Sequence, residues 1–118
     1  MKVVYNRIIP FKGFLAINLF GILFVRKNKD GSNPKLSDKL YNHEAIHTAQ
    51  MKEMLYVFFY IWYFIEWLIK LVLPPYNSAY KDISFEREAK ENQNNLNYLN
   101  IRKKYSWINK VLKYGKTF

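Results

Sequence analysis

The two histidines of this chain, His43 and His47, stand four residues apart, and Glu44 directly follows the first. The segment reads His43-Glu44-Ala45-Ile46-His47, the HExxH pattern. On a helix, side chains at i and i+4 lie one turn apart on the same side, so two imidazoles can each aim one nitrogen at a single ion. Glu44 sits about 100° round from His43 and stands beside the ion, in reach of a water bound to it. Zinc lowers the pKa of such a water to about 7, and the carboxylate then takes its proton and later delivers it to a leaving amine. The competing view of the pair is two satisfied histidines on a helix packed against aromatic neighbours.

A catalytic zinc site needs a third protein ligand and an open fourth position. The chain has no cysteine and no other histidine, so that ligand must be a carboxylate. Phe85-Glu86-Arg87-Glu88-Ala89 offers two candidates, with 38 residues between His47 and Glu86. Glu86 and Glu88 lie about 200° apart on a helix, so only one of them can face the ion. Peptide hydrolysis also calls for a donor to the developing oxyanion. With both histidines spent, Tyr80, Tyr76 or Arg87 must serve, or the zinc alone does, and Tyr80 is preferred because it closely precedes Glu86.

These groups must be positioned by a small scaffold. At 118 residues the chain fits one domain with a modest core. Half of it is apolar and 19% aromatic, more than a soluble domain of this size needs, so part of that surface is expected to meet a partner or a bilayer. The formal charge is +10, and no acid follows Glu91 while six bases do, which suits an anionic membrane surface. Fifteen of the 19 bases are lysine and 12 residues are asparagine, as an AT-rich genome encodes without selection for binding. No nucleic-acid-binding motif accompanies the charge, so nucleic acid is not the expected partner.

Residues 1–36 are rich in β-branched and aromatic residues, punctuated by Pro10, Gly13 and Gly21, and predict two or three short antiparallel strands. A small-residue cleavage site is missing and Lys12, Asn18 and Gly21 interrupt the apolar stretch, so no cleaved signal peptide is expected. From Ser37 or Asp38, either a good cap, a helix begins with Leu40, His43, Ile46, His47, Gln50 and Met54 on one face. Gln50, one turn beyond His47, reads first as an ordinary polar helix residue and otherwise as a contact behind a ligand or to the substrate. This helix is expected to run into an aromatic one over 54–73, ended by Pro74-Pro75. Its longest unbroken apolar run, Met54 to Ile65, is too short for a membrane span. Tyr56, Tyr60, Tyr63, Trp67 and Lys70 form a polar-tipped stripe expected to reach an interface, with Leu55, Phe58, Phe59, Trp62, Ile65 and Ile69 lining the other side, so the segment reads as a core helix buried against protein, with a membrane surface as the alternative. Glu66 is expected to pair with Lys70 at i+4. A third helix over 82–95 and a basic amphipathic tail over 103–118 complete the chain.

With these residues in place, the chain resembles the gluzincin metallopeptidases, and most closely small bacterial proteins in which HExxHxxQ is followed by an aromatic helix and a Glu-x-Glu-Ala segment. The resemblance covers roughly residues 14–92 and rests on His43, Glu44, His47, Gln50 and Glu86 to Ala89. It implies a minimal zincin-like α+β domain with His43, His47 and Glu86 as zinc ligands and Glu44 as general base. Many relatives carry Asp or Asn one turn after the ligand glutamate; here that place is Lys90, which cannot accept a bond from a ligating imidazole. The departure keeps Glu88, followed at one turn by Asn92, as the alternative ligand. The function expected is a zinc-dependent peptidase, cytoplasmic or held on the inner face of a membrane by its aromatic helix and basic tail. Its peptide or protein substrate would add as a strand beside Ala16 to Arg26. The alternative is a non-enzymatic membrane-surface or interaction protein with a structural or vestigial metal site.

Overall fold

The computed structural model describes residues 1–73 and 79–112. Pro74-Pro75, Tyr76 and the tail beyond Leu112 fall outside them. Strands β1 (Lys2–Asn6), β2 (Ala16–Leu19) and β3 (Ile22–Arg26) form a sheet of order β1-β3-β2. Helices α1 (Asp38–Glu53), α2 (Val57–Val72), α3 (Ala79–Asp82), α4 (Ser84–Asn92) and α5 (Tyr98–Ile101), then a 3-10 helix (Ser106–Lys110), complete an α+β fold.

The sheet is mixed, which corrects the all-antiparallel expectation. β2 and β3 make the hairpin, pairing Leu19 with Ile22 across Phe20-Gly21. Both turn residues have positive φ, 52° and 85°, as the tight hairpin turn that follows strand twist requires. A Cβ on Gly21 would sit 3.4 Å from Thr48 Cγ2, so the turn lies directly against α1. The remaining edge of β3 is taken by β1, which runs opposite to β2 and therefore parallel to β3. β1 stops at Asn6 because the Asn6 side-chain oxygen accepts from the backbone N–H groups of Ile8 and Ile9 and turns the chain away. β2 is left as an outer strand.

Ser37 is the cap of α1, its Oγ accepting from the Leu40 N–H at 3.0 Å. The expected continuous run into the aromatic helix is broken. Leu55 and Tyr56 adopt φ of 52° and 60°, and the two helix axes differ by 108°. Left-handed backbone costs about 1–2 kcal/mol per non-glycine residue. Tyr56 offsets this by donating its N–H to the Met51 carbonyl at 2.7 Å and packing its ring against the core of Met51, Phe59, Ile83, Phe85 and Trp107. The bend turns α2 across α1 and sets it against α3 and the start of α4. No single helix among the described residues is long and apolar enough to cross a membrane; α1 and α2 meet the length and composition only as this bent pair.

α2 is oriented opposite to expectation. Its polar-tipped stripe faces inward, and of the supposed core side only Phe59 is buried. The physical reason lies in what needs partners inside. Tyr60 Oη accepts from the Phe20 N–H at 2.9 Å and donates to the Asn18 carbonyl at 3.3 Å. Glu66 meets Lys70 Nζ at 2.7 Å, the expected pair, and also accepts from the Trp62 indole, the Ser84 hydroxyl and the Ser84 N–H. Lys70 donates to the Asp82 carbonyl as well. This buried cluster fixes α2 to α3 and α4.

The third helix expected over 82–95 is α4, which starts at Ser84 and ends at Asn92; the short α3 precedes it across Ile83, whose extended backbone (φ −61°, ψ 131°) sends a fully buried side chain into the core. Phe85 then stacks on Phe59 at 4.4 Å and meets Trp107 at 4.7 Å, so the 3-10 helix closes the core through Trp107, while Ile108 and Leu112 stay exposed.

Lys70 and Glu66 are 3% and 5% exposed, so removing one partner leaves a buried uncompensated charge. Lys70→Met should lower the unfolding free energy by about 3–5 kcal/mol in urea titrations. A loss below about 1 kcal/mol would show that the pair does not anchor α2.

Candidate metal centre

α1 presents His43 and His47 on the face turned toward α4, and α4 presents Glu86 to them. His47 Nε2 lies 3.1 Å from His43 Nε2 and 3.0 Å from Glu86 Oε1, and His43 Nε2 lies 3.3 Å from the same oxygen. Among the described residues this is the group of ligand-type side chains whose atoms converge on one point. Zinc with bonds of about 2.0–2.1 Å in tetrahedral geometry holds its ligand atoms about 3.4 Å apart. The triangle needs to open by only a few tenths of an ångström to fit.

The hydrogen bonds behind the imidazoles sharpen that fit. His47 Nδ1 is 2.8 Å from Gln50 Oε1. The Gln50 amide is oriented by its own nitrogen, which donates to the Phe85 carbonyl at 3.0 Å and to Glu88 Oε1 at 2.9 Å. Its oxygen therefore faces His47 and must accept, so His47 carries a proton on Nδ1 and its Nε2 lone pair points at Glu86. His43 Nδ1 meets Gln93 Oε1 at 2.8 Å in the same sense. Gln93 is delivered by Asn42, whose side-chain nitrogen donates to the carbonyls of Asn92, Gln93 and Asn95 and so ties the end of α4 to α1. Gln50 is thus no ordinary polar helix residue: it is fully buried and orients a ligand-type imidazole.

With both Nδ1 atoms donating outward, two nitrogen lone pairs and a carboxylate oxygen confront one another. Such a cluster of acceptors calls for a cation. In the metal-free protein a proton supplies it. Burial pushes the His47 imidazole down, but the Glu86 carboxylate overcomes this by its charge and hydrogen bond, helped by Glu44 and Gln50, and raises it to about 9. Burial pushes Glu86 up, and His47 together with bonds from His43 and Tyr63 more than reverses this, holding it well below the usual carboxylate range. Tyr63 donates to Glu86 Oε2 at 2.8 Å, leaving Oε1 for the imidazoles; burial and the Glu86 charge push its phenol far up, so it stays a donor.

A cavity of about 290 Å³ opens beside this cluster, lined by Ala16 to Leu19 of β2, His43, Glu44 and His47 of α1, Phe59, Tyr60 and Tyr63 of α2, and Tyr80 and Glu86. Glu44 therefore shares a chamber with the imidazoles. Tyr80 stands at its mouth, its phenol pushed up by desolvation and the charges of Glu86 and Glu44. Arg87 is not an oxyanion donor here, because it is buried against Asp82 at 2.9 Å and does not line the cavity. Tyr76 lies outside the described residues. Glu88 points away from the imidazoles into a separate cluster, accepting from Gln50, Tyr98 and Arg102, while Arg102 also reaches Glu53 at 2.8 Å.

Sequence reasoning missed Tyr63 and Gln93 and undervalued Gln50. Tyr63 belonged to the recognised polar stripe, and Gln50 and Gln93 each set an amide oxygen against the Nδ1 of a histidine. No family model, curated protein or solved structure matches this chain.

His47 raised above its ordinary 6.5 and Glu86 lowered below its ordinary 4.5 mean that the contact stabilises the metal-free protein fully between about pH 4.5 and 6.5, losing that contribution as pH rises through about 9 and again as pH falls below 4.5. NMR of the metal-free protein at pH 7.5 should show a charged His47 ring, and Glu86→Gln should drop its midpoint below 6.5, since burial then acts without its counter-charge. An unchanged midpoint would disprove the pairing.

Proposed function

We propose that this chain is a minimal zinc-dependent peptidase of zincin-like, gluzincin type, with His43, His47 and Glu86 as ligands and Glu44 as general base. The observation that carries the reading is the three-atom convergence of two imidazoles and one carboxylate at 3.0–3.3 Å, open on the side where Glu44 and the cavity lie. The group has three members among the described residues, which suits a catalytic site with a free position better than a closed structural one.

Zinc held there would acidify a water and polarise a peptide carbonyl. The chain's own groups do the rest. Glu44 accepts the proton of the attacking water and passes it to the departing amine. Tyr63 and the two glutamines hold the ligands in one orientation, so that no reorganisation is needed during reaction. Tyr80, kept protonated by its surroundings, is available to donate to the carbonyl oxygen as charge builds there. β2 is an outer strand whose residues Ala16 to Leu19 line the cavity, so an extended peptide can pair with its backbone and lay its amide bond beside Glu44. Such pairing reads backbone rather than side chains and predicts broad sequence tolerance.

Metal analysis and peptide hydrolysis test this together. The purified wild type should carry one zinc per chain and cleave unstructured peptides. Glu44→Gln should keep the zinc and lose about 100-fold or more in kcat. Glu86→Ala should lose the metal, and Gln50→Leu should weaken zinc binding about 10–100-fold. A wild type that stays zinc-free in metal-replete medium would end the proposal.

A further inference from the structure

α2 carries its apolar surface outward. Counting 100° per residue, its exposed positions fill an arc of about 180° from Leu71 round to Trp62. Ile61, Phe64, Ile65 and Leu68 are 43–58% exposed within it. Every side chain in the arc is apolar or aromatic, and the one polar atom, the Trp62 indole N–H, is turned inward to Glu66. At 1.5 Å per residue the stripe is about 24 Å long, more than an isolated soluble protein leaves uncovered. The C-terminal segment extends it. Trp107 meets Trp62 at 5.2 Å, and Val111 and Leu112 continue the apolar wall beside Ile65 and Ile69.

Charge selects the occupant. Four of the nine acids, Glu66, Asp82, Glu86 and Glu88, are buried, against only Lys70 and Arg87 among the described bases, so burial removes more negative charge than positive from the outer surface. Exposed Lys103 and Lys104 lead directly into the segment that flanks the apolar face. A second copy would set two strongly cationic molecules face to face, whereas an anionic headgroup layer offers the complementary sign and a phase for the apolar side chains. The opposite face of α2 carries Phe59, Tyr60 and Tyr63, which line the metal cavity. One helix diameter, about 10 Å, therefore separates the lipid-facing side from the site.

We propose that the outward face of α2, with Ile108 and Leu112, docks this protein flat on an anionic lipid bilayer and holds the cavity just above the headgroups, so that its substrate is a peptide segment at the membrane surface. The docking stands on the surface alone; the substrate clause rests on the zinc-peptidase reading.

The test uses the full zinc-loaded chain with sedimented vesicles, either phosphatidylcholine alone or an equimolar mixture with phosphatidylglycerol. Wild type should bind the anionic vesicles about tenfold or more tightly than the neutral ones, and Ile61→Glu/Leu68→Glu should lose about tenfold or more of that binding while keeping its zinc. A peptide tethered to the vesicles through a lipid should be cleaved at least about tenfold faster than the same peptide free in solution, and the double variant should cleave both alike. Zinc-loaded, peptide-cleaving wild type that ignores anionic vesicles would overturn the docking, as would a solution dimer dissolved by the double variant. Equal cleavage of tethered and free peptide by vesicle-bound wild type would overturn the substrate clause. Vesicle binding by a protein that holds no zinc would support the docking and overturn the peptidase instead.

Discussion

The arrangement of this molecule follows from one local constraint: three acceptors, two from imidazoles and one from a carboxylate, are pressed within 3.3 Å of one another. Both rings spend their Nδ1 protons on glutamine oxygens, so neither Nδ1 proton is directed at that point. Holding like groups together in this way costs energy unless a positive charge sits among them. The surroundings supply the rigidity that keeps them from drifting apart. Asn42 clamps the end of α4 through three carbonyls, Gln50 bridges α1 to α4, and Tyr63 fixes the carboxylate from α2.

α4 shows how such rigidity is reached in a small chain. Its residues from Ser84 to Ala89 are all buried, and three consecutive ones are charged. Each charge leaves in a different direction: Glu86 to the imidazoles, Arg87 to Asp82, and Glu88 to Arg102, Tyr98 and Gln50. A helix surrounded in this manner cannot rotate without exposing a charge to an apolar wall. The apolar core of Met51, Phe59, Ile83, Phe85 and Trp107 fills the gaps between the polar clusters.

The parts of this arrangement that were legible in the sequence are those set by short-range periodicity. Four-residue spacing placed His43 with His47, a cap residue placed the start of α1, and the 200° relation of Glu86 to Glu88 allowed only one of them to face the pair. What was illegible depended on which surface each element turned to the others. β1 could be placed as a strand but not as a parallel one, because pairing is decided by which edge of β3 is free. The bend at Leu55 and Tyr56 leaves no glycine or proline behind as a signal. The outward turn of α2 escaped because apolar residues are expected inside, whereas here the interior already held carboxylates and backbone groups whose demand for donors outweighed that tendency.

Arg102 touches Glu88 and Glu53 at once, and Gln93 reaches back 50 residues to His43. The cavity and the clusters behind it therefore draw on stretches from β2 to Arg102. Contacts of such long sequence separation form late in folding. A growing polypeptide with only α1 in place has both histidines and Gln50, but Gln93, which faces His43, and Phe85 and Glu88, which turn the Gln50 amide, are made only later.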